Sequence, residues 1–178
     1  MDQKLRLLKP GMLALELGSS PGSWTQILCA RGLQAVAVDE LPMEELAGAT
    51  FVLGSATSEA TQATVLECLN GRRVDLVLSD MSPARSGHHS LDHSRIVSLV
   101  IAALVFARQT LRPGGVFLAK ALQGEDHTAL VQAMRKFGKL TIQKPAASRK
   151  ESSEVYLHLT AFNHEHFDRY IEMLALLR

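Results

Sequence analysis

Only two cysteines, Cys29 and Cys68, occur among the 178 residues, each inside an apolar stretch. They supply neither the paired thiols of a zinc site nor a disulfide framework, so the chain reads as a protein of a reducing compartment. Charge of one sign is also lacking. The 19 basic and 18 acidic side chains leave a net +1, too little to draw the whole molecule onto a polyanion, so any contact with nucleic acid must be a local patch. Aromatic residues make up 5%, with a single tryptophan, which leaves no evident stacking platform for single strands. The longest apolar run, Ile96–Phe106, is interrupted by Ser98 and falls short of the ~20 residues that cross a bilayer. Met1–Pro10 carries Lys4, Arg6 and Lys9 and meets the first strand too early to hold a cleavable leader, so an organelle address would lie upstream or have been removed.

What is present is a globular balance of 47% apolar and 21% charged residues, sized for one domain over residues 1–178. Runs rich in Val, Leu and Ile at Met12–Leu17, Leu33–Val38, Thr50–Leu53, Val74–Ser79, Gly115–Lys120, Leu140–Gln143 and Val155–Phe162 predict seven strands. Segments with an apolar face at Trp24–Arg31, Glu59–Leu69, Ser94–Leu111 and Asp126–Phe137 predict helices between them. This alternation predicts an α/β, doubly wound and mostly parallel sheet with helices on both faces. Lys144–Glu154 has no helical period, so the last strand is expected to enter antiparallel, and His164–Arg178 reads as a terminal amphipathic helix. Residues 1–11 form a short leading segment.

Strand one runs into a turn, Gly18-Ser19-Ser20-Pro21-Gly22, before Trp24 and a helix. Glycines there allow a backbone approach that a Cβ would block, and in an open α/β sheet the ligand crevice lies at this edge. The turn is not G-x-G-x-x-G, which disfavours a dinucleotide. Asp39 ends strand two, where a carboxylate accepts from both hydroxyls of a ribose. Asp80 ends strand four. His88, His89 and His93 with Asp92 resemble a metal cluster in residue type, but we read them as a loop covering the pocket and assign no metal. The remaining histidines, His127, His158, His164 and His166, read as surface or satisfied core groups. Trp24 either packs beneath its helix or borders the ligand.

Lys9-Pro10-Gly11, Leu17–Trp24, Val38–Pro42, Leu78–Pro83, Pro113-Gly114-Gly115, Lys120, Lys144-Pro145 and Ser148–Tyr156 together resemble the FtsJ-like ribose 2′-O-methyltransferases, nearest the branch acting on uridine in mitochondrial large-subunit rRNA. The resemblance implies a Rossmann-like class I fold that binds S-adenosyl-L-methionine through Gly18, Pro21, Gly22, Trp24, Asp39, Ser55 and Asp80. It implies a lysine–aspartate–lysine–glutamate tetrad whose last three members match Asp80, Lys120 and Glu154. The first lysine belongs to a helix ahead of strand one, and neither Lys4 nor Lys9 matches it. Other departures are Glu16 where the family usually has aspartate, Ser19 and Ser20 for an alanine pair, and Gly54-Ser55 where an aspartate often meets the adenine.

The implied chemistry explains these residue types. A ribose hydroxyl must lose its proton as the methyl transfers, so a base is needed near neutral pH. Lysine ordinarily titrates at about 10.4, and the acids beside Lys120 favour its charged form, an effect the tetrad's unmatched first lysine would offset. Lys136, Lys139, Lys144, Arg149 and Lys150 read as phosphate contacts flanking Glu154. The implied partner is large-subunit rRNA or a ribosomal precursor particle, met by a monomer in the mitochondrial matrix, or in the cytoplasm if the protein is bacterial. The alternative is a non-catalytic RNA-binding ribosome-assembly factor that retains the fold.

Overall fold

A computed structural model describes residues 6–83, 89–124, 126–145 and 152–176. The chain builds β1 (Leu13–Leu17), α1 (Ser23–Ala30), β2 (Gln34–Asp39), β3 (Ala49–Leu53), α2 (Glu59–Leu69), β4 (Val74–Ser79), α3 (His89–Thr110), β5 (Leu111–Leu122), α4 (His127–Met134), β6 (Lys139–Gln143), β7 (Glu154–Thr160) and α5 (His164–Leu176). All seven anticipated strands form one sheet in the order β3-β2-β1-β4-β5-β7-β6. Strands β1 to β5 are mutually parallel. β7 runs antiparallel to both β5 and β6, as expected of a last strand that enters without a crossover helix. From β1 the chain winds outward through β2 and β3, then returns to β4 on β1's other side, which opens a switch point between β1 and β4.

Five of five residues in β1 are buried, as the central position of the strand requires. The two faces are covered unequally. Val65 and Leu69 of α2, Val100, Ala103, Leu104, Phe106 and Ala107 of α3, Leu130, Val131 and Met134 of α4 and Phe167 of α5 join one large cluster. The other face holds a smaller cluster of Leu7, Leu28, Leu76, Leu78, Leu118 and Tyr156, with Trp24 packed against it. Helices on both faces were expected; among the described residues α1 is the helix that supplies the second. No helix among these residues is long and apolar enough to cross a membrane.

Several element boundaries differ from the sequence expectation for local reasons. β5 starts at Leu111 rather than Gly115, because Leu111 pairs with Val74 before the register slips to Val116 against Leu76. The slip falls at Pro113 and Gly114, a residue without an N–H followed by one at φ +73°, the composition of a bulge. α3 begins at His89 rather than Ser94, so the polar stretch expected as loop is helical; an apolar period cannot mark a helix's first turn when that turn projects beyond the core. α4 stops at Met134, where Lys136 and Phe137 donate backbone bonds to Ala133 and Met134 in a tight turn.

The C-terminal end is fastened by aromatic packing and one bidentate ion pair. Phe137 meets Phe167 and Tyr170 edge to face at 5.0 and 5.3 Å, and Arg108 of α3 grips Asp168 of α5 through bonds of 2.7 and 2.6 Å. Phe137 is 2% exposed, so Phe137→Ala is expected to cost about 3–5 kcal/mol of unfolding free energy. Urea denaturation would measure this, and a loss under about 1 kcal/mol would contradict the placement of that ring in the core.

Candidate active site

The turn after β1 is held against both neighbouring strands. Gly18 and Ser19 donate to the Val38 carbonyl at 2.8 and 3.1 Å, and Asp80 donates to the Leu17 carbonyl at 2.9 Å. Gly18 has φ +81°, and a Cβ there would stand 2.8 Å from the Met81 nitrogen. The turn and the β4 loop pass too closely for any other residue. Gly22, at φ +106°, opens α1, and its carbonyl accepts from Gln26 at 2.9 Å. The Ser20–Pro21 peptide bond is cis.

Asp39, half-buried at the end of β2, accepts from the Ser20 N–H at 2.8 Å and the Leu41 N–H at 2.9 Å. Each carboxylate oxygen retains a lone pair for a further donor. Beside it lies a cleft of about 410 Å³ lined by Gly18, Ser20, Asp39, Ser55, Thr57 and Asp80, among others, a size that suits a small-molecule ligand. Ser55 and Thr57 share a hydroxyl–hydroxyl bond of 3.0 Å. Four of the expected ligand-binding residues, Gly18, Asp39, Ser55 and Asp80, therefore meet in one cleft.

Pro21, Gly22 and Trp24 do not line it. Pro21 is exposed, and Gly22 faces Met43, whose sulfur would lie 3.0 Å from an added Cβ. Trp24 lines a separate apolar hollow with Leu7, Leu28, Leu78 and Leu118. As the second residue of α1 its side chain is carried to the sheet face, and its ring is tilted by 40° against Tyr156 at 5.7 Å.

At the mouth of the cleft the Lys120 ammonium donates to the Asp80 carbonyl at 2.8 Å and pairs with Asp80 Oδ1 at 3.0 Å, their side chains 10% and 33% exposed. β7 sets Tyr156 opposite Lys120 and Glu154 opposite Leu122. Residues two apart on a strand share a face, so Glu154 is the diagonal neighbour of Lys120, a Cα separation of roughly 7–8 Å. The expected acid–amine pair is in direct contact, with the second acid one diagonal step away.

Sequence reasoning missed Tyr156, which donates to Asp80 Oδ1 at 2.9 Å; the available signal was its position two residues after Glu154, on the same face of the strand. It also missed the depth of Glu16, which is 1% exposed and accepts from Thr25 Oγ1 at 2.7 Å. Burial, against the opposing Thr25 bond and aided by the Asp80 and Asp39 carboxylates, pushes Glu16 from its ordinary 4.5 up to about 7.

The histidine loop is corrected. His93 is inside α3, 7% exposed, and its Nε2 accepts from the Asp126 N–H at 3.1 Å, because one further turn of helix carries it inward. His88 and the side chain of His89 lie outside the described residues. No group of three or more metal-ligating side chains occurs among the described residues. The expectation that His127, His158, His164 and His166 are surface or satisfied core groups fails at His158 Nε2, which is buried without a partner among the described residues.

The basic set divides. β6 runs in the same direction as β5, so Lys139 pairs with Thr160 at the far end of β7, six residues and roughly 20 Å from Glu154. Lys136 lies over the Tyr170 ring at 4.8 Å. Neither flanks Glu154. Lys144 follows β6 at the site's edge of the sheet, and Arg149 and Lys150 lie outside the described residues.

The profile of the FtsJ-like methyltransferases matches residues 1–162. The chain is 46% identical over 167 residues to the ribosomal RNA large subunit methyltransferase E of Chromohalobacter salexigens, covering 92% of this chain and 80% of that protein. It is 42% identical over 164 residues to the protein of the same name in Granulibacter bethesdensis, covering 91% and 71%. In fold it is similar to a Plasmodium falciparum structure described as a ribosomal RNA methyltransferase, with a TM-score of 0.81 at 23% identity over 90% of this chain and 92% of that one. A methyltransferase-like protein of Streptococcus mutans in complex with SAH follows at a TM-score of 0.56 and 9% identity, over 87% and 89%.

The Glu16 shift has a stability consequence with a definite sign. A carboxyl raised from 4.5 to about 7 binds more protons folded than unfolded, so its stabilising contribution is complete below about 4.5 and is lost as pH rises to about 7. Glu16→Gln, which stays neutral, is expected to flatten the fall in Tm across that window and to melt above the parent at about pH 8. Parallel Tm-against-pH curves for the two proteins would refute this.

Proposed function

The chain belongs to the FtsJ-like methyltransferase family, and on that premise we propose that it methylates the ribose 2′-hydroxyl of a uridine in large-subunit ribosomal RNA. The observation that carries the reading is the contact of Lys120 with Asp80 at the mouth of the Asp39 cleft. The cleft fits S-adenosyl-L-methionine. Gly18, Asp39, Ser55 and Thr57 line it; the Asp39 carboxylate would accept from the hydroxyls of a ribose, and the Ser55 and Thr57 hydroxyls would offer hydrogen bonds to a base. When bound, the sulfonium supplies an electrophilic methyl.

The chain's own residues do the rest. Lys120, as a neutral amine, takes the proton of the ribose hydroxyl. Asp80 fixes the amine through two contacts and borders both ligands, and Glu154 holds the acceptor side from the neighbouring strand. Gly18, Pro21, Gly22, Asp39, Ser55 and Asp80 form or shape the donor's cradle, the two members that do not line the cleft acting by setting the turn. A binding factor without turnover would have no use for an ammonium held at 10% exposure between acids, since burying it costs solvation.

Residues 1–178 act as one methyltransferase domain and as a monomer, on large-subunit rRNA or a ribosomal precursor particle. The mitochondrial-matrix setting rests on the Ser148–Tyr156 resemblance. The relatives matching most of the chain are bacterial and support the cytoplasmic alternative.

Large-subunit particles lacking the modification, incubated with methyl-labelled S-adenosyl-L-methionine, provide the test. The parent chain incorporates label at a uridine ribose, and Lys120→Ala abolishes transfer while leaving cofactor affinity within a few fold. Retained turnover in that variant would refute Lys120 as the base.

A further inference from the structure

Tyr156 is buried at 6% exposure, opposite Lys120 in the β5–β7 ladder. Its hydroxyl donates at 2.9 Å to Asp80 Oδ1, the same oxygen that the Lys120 ammonium reaches at 3.0 Å. One carboxylate oxygen thus serves a phenol and an ammonium at once. We propose that Tyr156 is a positioning residue which, by sharing Asp80 Oδ1, sets how readily Lys120 gives up its proton. The inference rests on the reading of Lys120 as the base.

The groups that bear on Lys120 from the described residues packed around it are Asp80 at the end of β4, Glu154 and Tyr156 on β7, and Glu16 behind Asp80 on β1. Asp80, Glu154 and Glu16 carry carboxyl groups, whereas Tyr156 brings a neutral O–H donor. A base surrounded only by acids would be locked in its charged form and useless for deprotonation. A neutral O–H donating to Asp80 Oδ1 draws off part of that oxygen's charge and weakens its hold on the ammonium proton. The phenol can keep this role across the working range, because burial first, then the Asp80 carboxylate and Glu154, push its own ionisation well above the usual range. The tilted contact with Trp24 fixes the ring from behind, so the hydroxyl has one direction in which to point.

The test compares the full chain with Tyr156→Phe and with a variant carrying ring-fluorinated tyrosine at 156, whose hydroxyl is the stronger donor. Trace acetylation of Lys120 against pH, read by mass spectrometry, reports the neutral amine without turnover. Methylation of large-subunit particles against pH is followed in parallel. For Tyr156→Phe the half-labelling pH is expected to rise by about half to one unit, equivalent to about three- to tenfold less neutral amine at fixed pH. The acid limb of kcat should move with it while the KM for S-adenosyl-L-methionine stays put. Fluorination is expected to move both curves to lower pH. A residue that served only as packing would lower kcat without moving either curve, so superimposed labelling curves for all three proteins would overturn the proposal. If Tyr156→Phe does not fold, the near-isosteric fluorinated variant carries the test alone. Shifted labelling in a chain without methyl transfer would uphold the tyrosine's coupling and sink the base assignment, whereas normal turnover with unshifted labelling would do the reverse.

Discussion

The bond from the Asp80 N–H to the Leu17 carbonyl at 2.9 Å sits where two halves of the sheet part company. Below it, β1 and β4 run in register through Leu17 and Ser79. Above it, one chain turns toward β2 through Gly18 and the other toward α3 through Met81. The two turns approach so closely that a single methyl group on Gly18 would drive into the Met81 backbone. The cleft depends on that contact: with the turns pinned at their roots, Asp39 and Asp80, at the ends of the strands on either side of β1, line the same cleft.

The same constraint concentrates charge. Glu16, Asp39 and Asp80 stand at or beside the ends of three adjacent parallel strands, and the Asp80 and Asp39 carboxylates add to the burial that raises Glu16. The chain meets this differently at each position. Glu16 is pushed up to about 7 by burial, with Thr25 as its donor. Asp39 accepts two backbone N–H groups. Asp80 receives an ammonium and a phenol. Burying an ion pair gains little by itself and losing one partner costs much, so Lys120 is better understood as placed for chemistry than for stability.

How much of this was legible in the sequence depended on the kind of signal. The seven strands, their parallel sense and the antiparallel return of β7 followed from apolar runs and connection lengths, which report on burial directly. The Gly18 turn, Asp39 and Asp80 stood out because they stand at strand ends, where side chains at one edge converge by topology, whereas Ser55 and Lys120 came from the family resemblance. Positions governed by register or rotamer were not readable. Lys139 was grouped with Glu154 by proximity in the chain, yet β6 runs away from the site at that end. Trp24 follows the turn by two residues, but its ring leaves the cleft for the hollow beneath. His93 looked like loop because the first turns of α3 carry a polar sequence, and one residue of phase decides whether that imidazole is solvated or buried.

Unequal covering of the sheet bears on how a bulky acceptor reaches Lys120. The large face is sealed by residues from four helices, while over Leu78 and Leu118 the smaller face has α1 and the segment around Leu7 and Leu8. Asp80 and Lys120 lie two residues beyond those leucines on the same two strands, so they project from the edge where this thinner layer ends. A side chain at 10% exposure next to one at 33% describes an amine shielded by its own partners and a carboxylate open to the cleft.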